Sequence, residues 1–250
     1  GNTVMDATLY TGTGNTLPIT NTASFQPDFV WIKGRSFAYN NALFDSVRGV
    51  NKVLISNSTA AEATETAGSL SSFNSNGFTL ASGSAAYAAV NVSGQTFVGW
   101  QWQAGQGTTS SNTSGTITST VSVNASAGFS VVTYTGTGAN ATVGHGLGVA
   151  PALVIVKNRS TAGENWQVYS SALADATYRM RLNTTDGQDV QTTMWNSTAP
   201  TSSVFSIGTA SGVNASANTY VAYCWANIAG FSSIGRYTGN GSANGPFVYT

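Results

Sequence analysis

Short apolar runs of strand length recur along the whole chain, separated by turns rich in Gly, Ser, Thr and Asn. In the run 96–103, Trp100 and Trp102 belong to a set of apolar residues that occupies every second position. A period of two is typical of a strand with one face in a core. The run 219–228 shows the same alternation and ends its apolar face at Trp225. We therefore predict that these three tryptophans point into the core of the fold.

Two other runs are continuously apolar, at 29–33 and at 152–157. The first follows Pro27, and a proline fits the start of a strand because its missing N–H costs no ladder hydrogen bond there. Unbroken apolar runs of this length are typical of strands that are covered on both faces. We predict that both runs form central strands.

The remaining runs complete a β pattern, and the segment 58–73 is predicted to be a loop. With about six strands per unit and no convincing helix, the chain is predicted to be all-β and antiparallel. Lectin-like jelly rolls and immunoglobulin-like sandwiches both fit, and the continuous runs favour the jelly roll. The other runs lie at 6–12, 42–49, 52–56, 77–82, 128–136, 165–171, 178–183 and 204–208.

The chain contains an internal repeat. Residues 10–36 align without a gap on residues 134–160, and a third copy opens with YTGNG at Tyr237. A period this long indicates successive domains, since solenoid repeats are only about 20–50 residues long. We predict two tandem β-sandwich domains and the start of a third copy. Their predicted bounds are 1–104 for the first domain, 105–118 for a Gly/Ser/Thr linker, 119–231 for the second domain and 232–250 for the third copy's opening strand.

Composition narrows the function. Hydrophobic residues make up 41% of the chain and charged residues only 7%, with nine basic and nine acidic side chains. Nucleic-acid binding needs clustered Lys and Arg, and the chain has no such cluster. Insertion into a bilayer needs about 20 consecutive apolar residues, and no run approaches that length. Since the chain starts without methionine and stops inside a repeat, we expect it to be a fragment.

Several phrases resemble tailed-phage structural proteins, mostly of aquatic phages, that carry tandem copies of a domain of unknown function. They are FQPDFVWIKGRS, LFDSVRG, FNSNGFTL, GTITSTVSVNASAGFSVVTYTGTG, VGHGLGVAP, APTSSVFSIG and YTGNGSANGPFVYT. The resemblance covers nearly the whole chain. It implies a tail or fibre component on the outer surface of the virion. It also implies a homo-oligomer, a trimer as in many phage fibres, in contact with other virion proteins. It brings no catalytic or binding residues.

The residue types that usually carry chemistry are sparse. His145 is the only histidine and Cys224 the only cysteine, so the chain can form neither an internal disulfide nor a Cys/His zinc site. We interpret His145 as a turn residue and Cys224 as a small buried side chain. Asp45 and Arg48 are three residues apart and are predicted to pair and fix a turn. No catalytic residue, metal ligand or cofactor is predicted.

Five residues are the candidate contacts to a glycan or to another subunit. Trp195 lies in a polar loop and is predicted to be the most exposed indole. Lys33 and Arg35 end one strand, and Lys157 and Arg159 occupy the same positions in the second copy. We predict a non-enzymatic virion surface protein with a structural or host-adhesive role. The alternatives are a carbohydrate-binding module, a polysaccharide depolymerase and a cellular adhesin or surface-layer fragment.

Overall fold

The computed structural model describes residues 3–85 and 87–248, which fold into strands joined by turns. The strands of the first half are β1 (Met5–Thr11), β2 (Leu17–Thr20), β3 (Phe29–Gly34), β4 (Ala42–Asp45), β5 (Lys52–Ile55), β6 (Ala63–Thr64), β7 (Leu70–Asn74), β8 (Gly77–Leu80) and β9 (Thr96–Trp102). Those that follow are β10 (Ser110–Asn112), β11 (Ser119–Asn124), β12 (Phe129–Thr135), β13 (Ala141–Gly144), β14 (Leu153–Asn158), β15 (Gln167–Ser170), β16 (Tyr178–Arg181), β17 (Asp189–Val190), β18 (Val204–Ile207) and β19 (Thr219–Trp225). A one-turn helix, α1 (Ser211–Asn214), precedes β19.

Each half has one large and one small antiparallel sheet, and the predicted all-β sandwich class is confirmed. The first large sheet has the order β1-β9-β3-β4-β5-β6, and β2-β8-β7 form its small sheet. The second large sheet has the order β10-β11-β12-β19-β14-β15-β16-β17, with β13-β18 as the small sheet. From β12 to β17 the second sheet follows the same order as the first.

The repeated Tyr-Thr-Gly phrase has the same structural role in both halves. The Tyr10 hydroxyl donates to the Val90 carbonyl at 2.9 Å, and the Tyr134 hydroxyl donates to the Val213 carbonyl at 2.8 Å. A Cβ on Gly136 would lie 2.3 Å from the Ala215 carbonyl oxygen. Glycine is required at this position because the two backbones approach too closely for any side chain.

The alternating strands β9 and β19 place their residues on faces opposite to those predicted. Phe97 packs in the core of the first half, whereas Trp102 packs on the other side of the sheet. Likewise Cys224 lies in the core of the second half and Trp225 faces away from it. The predicted inward position of Trp100 is also wrong. The alternation identified both strands, but it did not show which of their two faces meets each half's own core.

A third core lies between the two large sheets and explains those faces. It joins side chains from both halves; its fully or nearly fully buried members are Phe29, Leu43, Leu54, Ala104, Phe129, Val131, Ile155, Trp166, Val168, Val221 and Tyr223. Phe29 and Tyr223 stack across it with ring centroids 4.2 Å apart. The large sheets are therefore covered on both faces. The prediction that the runs 29–33 and 152–157 form doubly covered strands is confirmed in β3 and β14.

The segments expected to be irregular are partly ordered. Within the predicted linker 105–118, β10 pairs with β11 and Ile117 is buried in the core of the second half. The predicted loop 58–73 contains β6 and most of β7. By contrast, the described residues of the predicted third copy after Ser232 form no strand or helix. Its residue Phe247 is 89% exposed, and Tyr249 lies outside the described residues.

Candidate functional site

A cluster of charged side chains is buried between the two halves, and we call it the interface network. It consists of Asp45, Arg48, Glu62, Arg159 and Tyr223. Asp45 ends β4, and Arg48 follows it in a tight turn where its N–H donates to the Asp45 carboxylate at 2.8 Å. Their side chains also form an ion pair that is fully shielded from solvent. The predicted Asp45–Arg48 pair is confirmed.

The same guanidinium extends the network into the second half. Arg48 donates to Glu62 at 3.0 Å, and Glu62 accepts two further hydrogen bonds from Arg159 at 2.9 and 3.0 Å. The Tyr223 hydroxyl donates to Asp45 at 2.7 Å and accepts from Arg48 at 3.3 Å. Two cations therefore face two carboxylates, and each half contributes to the bonding.

Three members of the network, Arg48, Glu62 and Tyr223, have pKa values that their neighbours and their burial shift. Burial by itself disfavours a charged guanidinium, but Asp45, Tyr223 and Glu62 together hold the pKa of Arg48 above its ordinary value. Burial likewise opposes ionisation of Glu62, yet the hydrogen bond from Arg159 and the charge of Arg48 keep the pKa of Glu62 low. Burial raises the pKa of Tyr223 well above its ordinary value. These shifts favour the charged forms of Arg48 and Glu62 and the neutral form of Tyr223.

A second buried carboxylate fixes the connection between the halves. Asp28 accepts backbone hydrogen bonds from Ala104, Gln106 and Gly107, each at 2.7 Å, and one from the Ser46 hydroxyl, also at 2.7 Å. A carboxylate that accepts this many donors is saturated. Asp28 therefore holds the start of the segment 105–118 against the first sheet.

The paired cations that the repeat predicts as contact residues differ between the copies. Lys33 donates to the Tyr39 carbonyl at 3.1 Å, and Arg35 is exposed. Lys157 is buried and donates to the carbonyls of Thr59 and Glu164. Its burial lowers the pKa of the ammonium to about 8, against the opposing effect of Glu164. Lys157 and Arg159 therefore both make contacts between the halves. Lys33 and Arg35 lie at the surface of the first half.

The structure corrects the prediction for Trp195. The indole is 2% exposed and packs edge-on against Tyr169 in the core of the second half. The second small sheet has two described strands, whereas the first has three. Met194 and Trp195 lie in the turn that precedes β18, and both are buried in the core of the second half. A polar loop therefore sends its two apolar residues inward.

The lone histidine and cysteine both have structural roles. His145 is buried; its Nε2 lies 3.1 Å from the Thr201 carbonyl, and its Nδ1 accepts from the Leu147 N–H at 3.2 Å. Burial lowers the pKa of His145, so the neutral ring is favoured. Cys224 is fully buried, and its burial raises the pKa of the thiol to about 12. These geometries fit the interpretation of both residues as structural.

An apolar cleft lies at the interface between the halves, with lining residues from both. Its volume is about 430 Å³, and its lining residues are Val4, Met5, Trp102, Ala127, Phe129, Trp225, Phe231 and Ser232. Trp102 and Trp225 occupy matching positions in the two halves, and their rings meet edge to face at 6.0 Å. The cleft is therefore the place where aromatic faces are available to a ligand.

Sequence reasoning missed the residues that connect the halves. Glu62 sits in a segment predicted to be a loop, and Trp166 donates its indole N–H to the Ile55 carbonyl at 2.8 Å across the interface. Tyr223 was predicted to face the core of the second half. The sequence carries no signal of which charges meet across the interface, since Glu62 and Arg159 lie 97 residues apart.

A family model described as "Domain of unknown function (DUF7483)" matches residues 2–250. The chain belongs to the DUF7483 family. No match was found among curated proteins or among solved structures. The DUF7483 match includes both large sheets, the interface network and the cleft. Within the described part of this DUF7483 protein, no helix has the length and apolar character needed to cross a bilayer.

Proposed function

We propose that this DUF7483 protein is a non-enzymatic structural module of a virion surface, a component of a phage tail or fibre. The observation that carries the proposal is the interface network, which joins the two sandwiches through the Glu62–Arg159 ion pair and the hydrogen bond from Tyr223 to Asp45. Side chains that an enzyme would use for catalysis are here used for structural bonds, as at Asp28, Asp45 and Lys157. The phrase-by-phrase resemblance to tailed-phage structural proteins supports the same role.

A surface module of this kind has to keep its shape under load while exposing a neutral, hydrogen-bonding surface. A shared apolar core and a buried network resist relative movement of the halves, because neither can separate without exposing apolar area and unpaired charge. With charged residues at 7%, neighbouring copies repel each other little. Both features suit a repeated element of a fibre.

Electron microscopy of purified particles labelled with gold-conjugated antibodies against the recombinant chain tests the proposal. We expect gold at the tail or at a fibre, with pre-immune antibodies as the control. Particles that carry no gold, while the protein is detected in the infected cells, would contradict a virion role.

Carbohydrate binding is a second candidate function, and the cleft is the observation that favours it. Trp102 and Trp225 offer indole faces at an open site next to Phe129. Aromatic faces can stack on the apolar face of a sugar ring, and few charges surround this site. The surface glycan of a host cell is therefore the ligand class that an adhesive tail protein would meet there.

Replacing Trp225 by leucine is expected to weaken glycan binding about fivefold, since an aromatic contact contributes about 1 kcal/mol beyond its buried area. Leucine keeps the cleft apolar but removes the stacking face. Glycan arrays identify a ligand, and calorimetry then compares the variant with the wild type. Trp100→Leu is the matched control, because Trp100 lies on the same face of β9 as Trp102 but does not line the cleft. Equal loss of affinity in both variants would exclude the cleft as the site.

A further inference from the structure

The edge of the first large sheet at β1 is uncovered. Among the described strands, β1 pairs only with β9. The Gly12 N–H donates to Gln95 and the Val4 carbonyl accepts from Gln103, both on the β9 side. Since backbone groups alternate along a strand, the N–H and C=O groups of Leu9 point away from β9. They are available to a further strand.

The second half shows how such a strand binds. There β12 matches β1, and its outer edge is covered by β11, which pairs antiparallel through Val131 with Ser122 and Thr133 with Thr120. The positions of β12 that face β11 correspond to those of β1 that face solvent. The fold therefore already contains one example of a strand added at this edge.

The uncovered edge adjoins an apolar surface. Leu9 is 61% exposed, and it lies opposite Val98, with Ala7 opposite Trp100 in the same register. Met5, at the start of β1, lines the aromatic cleft. The side chain of Leu9 and the cleft thus form one continuous apolar surface beside the free β1 edge. We call this surface, together with the edge, the β1 surface.

The C-terminal segment has the complementary properties. Tyr237 is 69% exposed, Phe247 89% and Val248 53%, and residues 236–248 form no regular structure. No residue from 237 to 248 is charged. Arg236 lies beside Leu173 and Met180, at the β15–β16 side of the second sheet. Leu9 and Phe247 are both left exposed, so the segment does not cover the β1 surface of its own chain.

We propose that the β1 surface binds residues 245–248 of a second copy of the chain as an added antiparallel strand. Backbone hydrogen bonds to Leu9 supply the pairing, as in other cases of strand addition to a free sheet edge. Pro246 fits the start of the added strand, where no N–H is needed. Phe247 covers the apolar surface around Leu9. The contact is head-to-tail, so it builds a ring or a filament and not a two-fold dimer.

Asp6 is the charged residue of β1, and its carboxylate already accepts hydrogen bonds within the chain. Its carboxylate accepts from the Ala7 N–H at 2.6 Å and from the Thr22 hydroxyl at 2.8 Å. Because the C-terminal segment carries no charge to meet it, association is expected to be insensitive to salt. A salt-dependent assembly would indicate a different surface.

Analytical ultracentrifugation of the full chain tests the proposal with two blocking variants, Leu9→Lys and Phe247→Lys. Both positions are exposed, so both variants are expected to fold with an unchanged thermal midpoint. We expect the wild type to associate with rising concentration and each variant to remain monomeric. When the two variants are mixed, the intact β1 surface of Phe247→Lys can bind the intact C-terminal segment of Leu9→Lys. A one-to-one complex is therefore expected. Val190→Lys, at an exposed apolar position on the edge strand β17, is the matched control and should associate like the wild type.

Three results would each overturn the proposal. The first is a wild type that stays monomeric up to its solubility limit. The second is association of Leu9→Lys to the same extent as the wild type. The third is failure of the two monomeric variants to form a complex when mixed, which would show that the edge and the C-terminal segment do not bind each other.

Discussion

Replacing Arg48 by methionine is expected to lower the free energy of unfolding by about 3–5 kcal/mol, the usual cost of removing one partner from a buried ion pair. The substitution leaves the Asp45 carboxylate buried beside Tyr223 without its cation, and Glu62 retains only Arg159. Methionine fills most of the volume, so the loss reports on charge and hydrogen bonding. Urea unfolding followed by circular dichroism measures it.

Two further variants isolate the cause of this loss. Arg35→Met removes an exposed cation from the surface and is expected to change stability by no more than about 0.5 kcal/mol. Adding Asp45→Asn to Arg48→Met removes the stranded charge and should recover part of the loss. A loss below about 1 kcal/mol for Arg48→Met would mean that solvent reaches the Asp45 carboxylate once the guanidinium is gone, and that the network contributes little to stability.

Truncation of Trp166 to alanine is also expected to cost about 3–5 kcal/mol, the range for a fully buried aromatic residue. The side chain has no solvent exposure, stacks near Tyr223 and donates its indole N–H to Ile55 in the first half. Because it lies in the core that the halves share, its loss destabilises both. Calorimetry should show one transition, shifted as a whole to lower temperature.

The exposed residue Met180, on β16 of the same sheet, provides the control for this prediction. It is 40% exposed, so Met180→Ala is expected to leave the transition nearly in place. Two separate transitions, of which Trp166→Ala moves only one, would show that the halves unfold independently. In that case the shared core would be a contact between two domains and not part of one folding unit.

The strands themselves were largely predictable because their signals are local. An unbroken apolar run of strand length indicates a strand covered on both faces, and β3 and β14 confirm this. The alternation at 96–103 and 219–228 correctly located β9 and β19. It could not tell which face met which core, since a period of two is the same for both faces. The tryptophans of β9 and β19 were therefore assigned to the wrong side.

The candidate site was predictable only where its partners are close in sequence. Asp45 and Arg48 are three residues apart, and their pairing is confirmed. Glu62 meets Arg159 across nearly a hundred residues, and nothing in either segment points to the other. Trp195 sits in a polar loop, yet it packs against Tyr169 in the core of the second half, and the composition of the loop does not indicate this contact.

The sequence alone determined the strand content, because the signals for a strand lie in residues near one another in the chain. The sparse charge, the single cysteine and the repeated Tyr-Thr-Gly phrase are properties of the sequence itself. Only the tertiary structure decided that the two large sheets share a core, that Lys157 and Arg159 form hydrogen bonds to the first half, and that β1 keeps a free edge. The physical reason is that packing two sheets is a choice between faces, and that choice depends on the total apolar area and charge pairing gained by the whole chain.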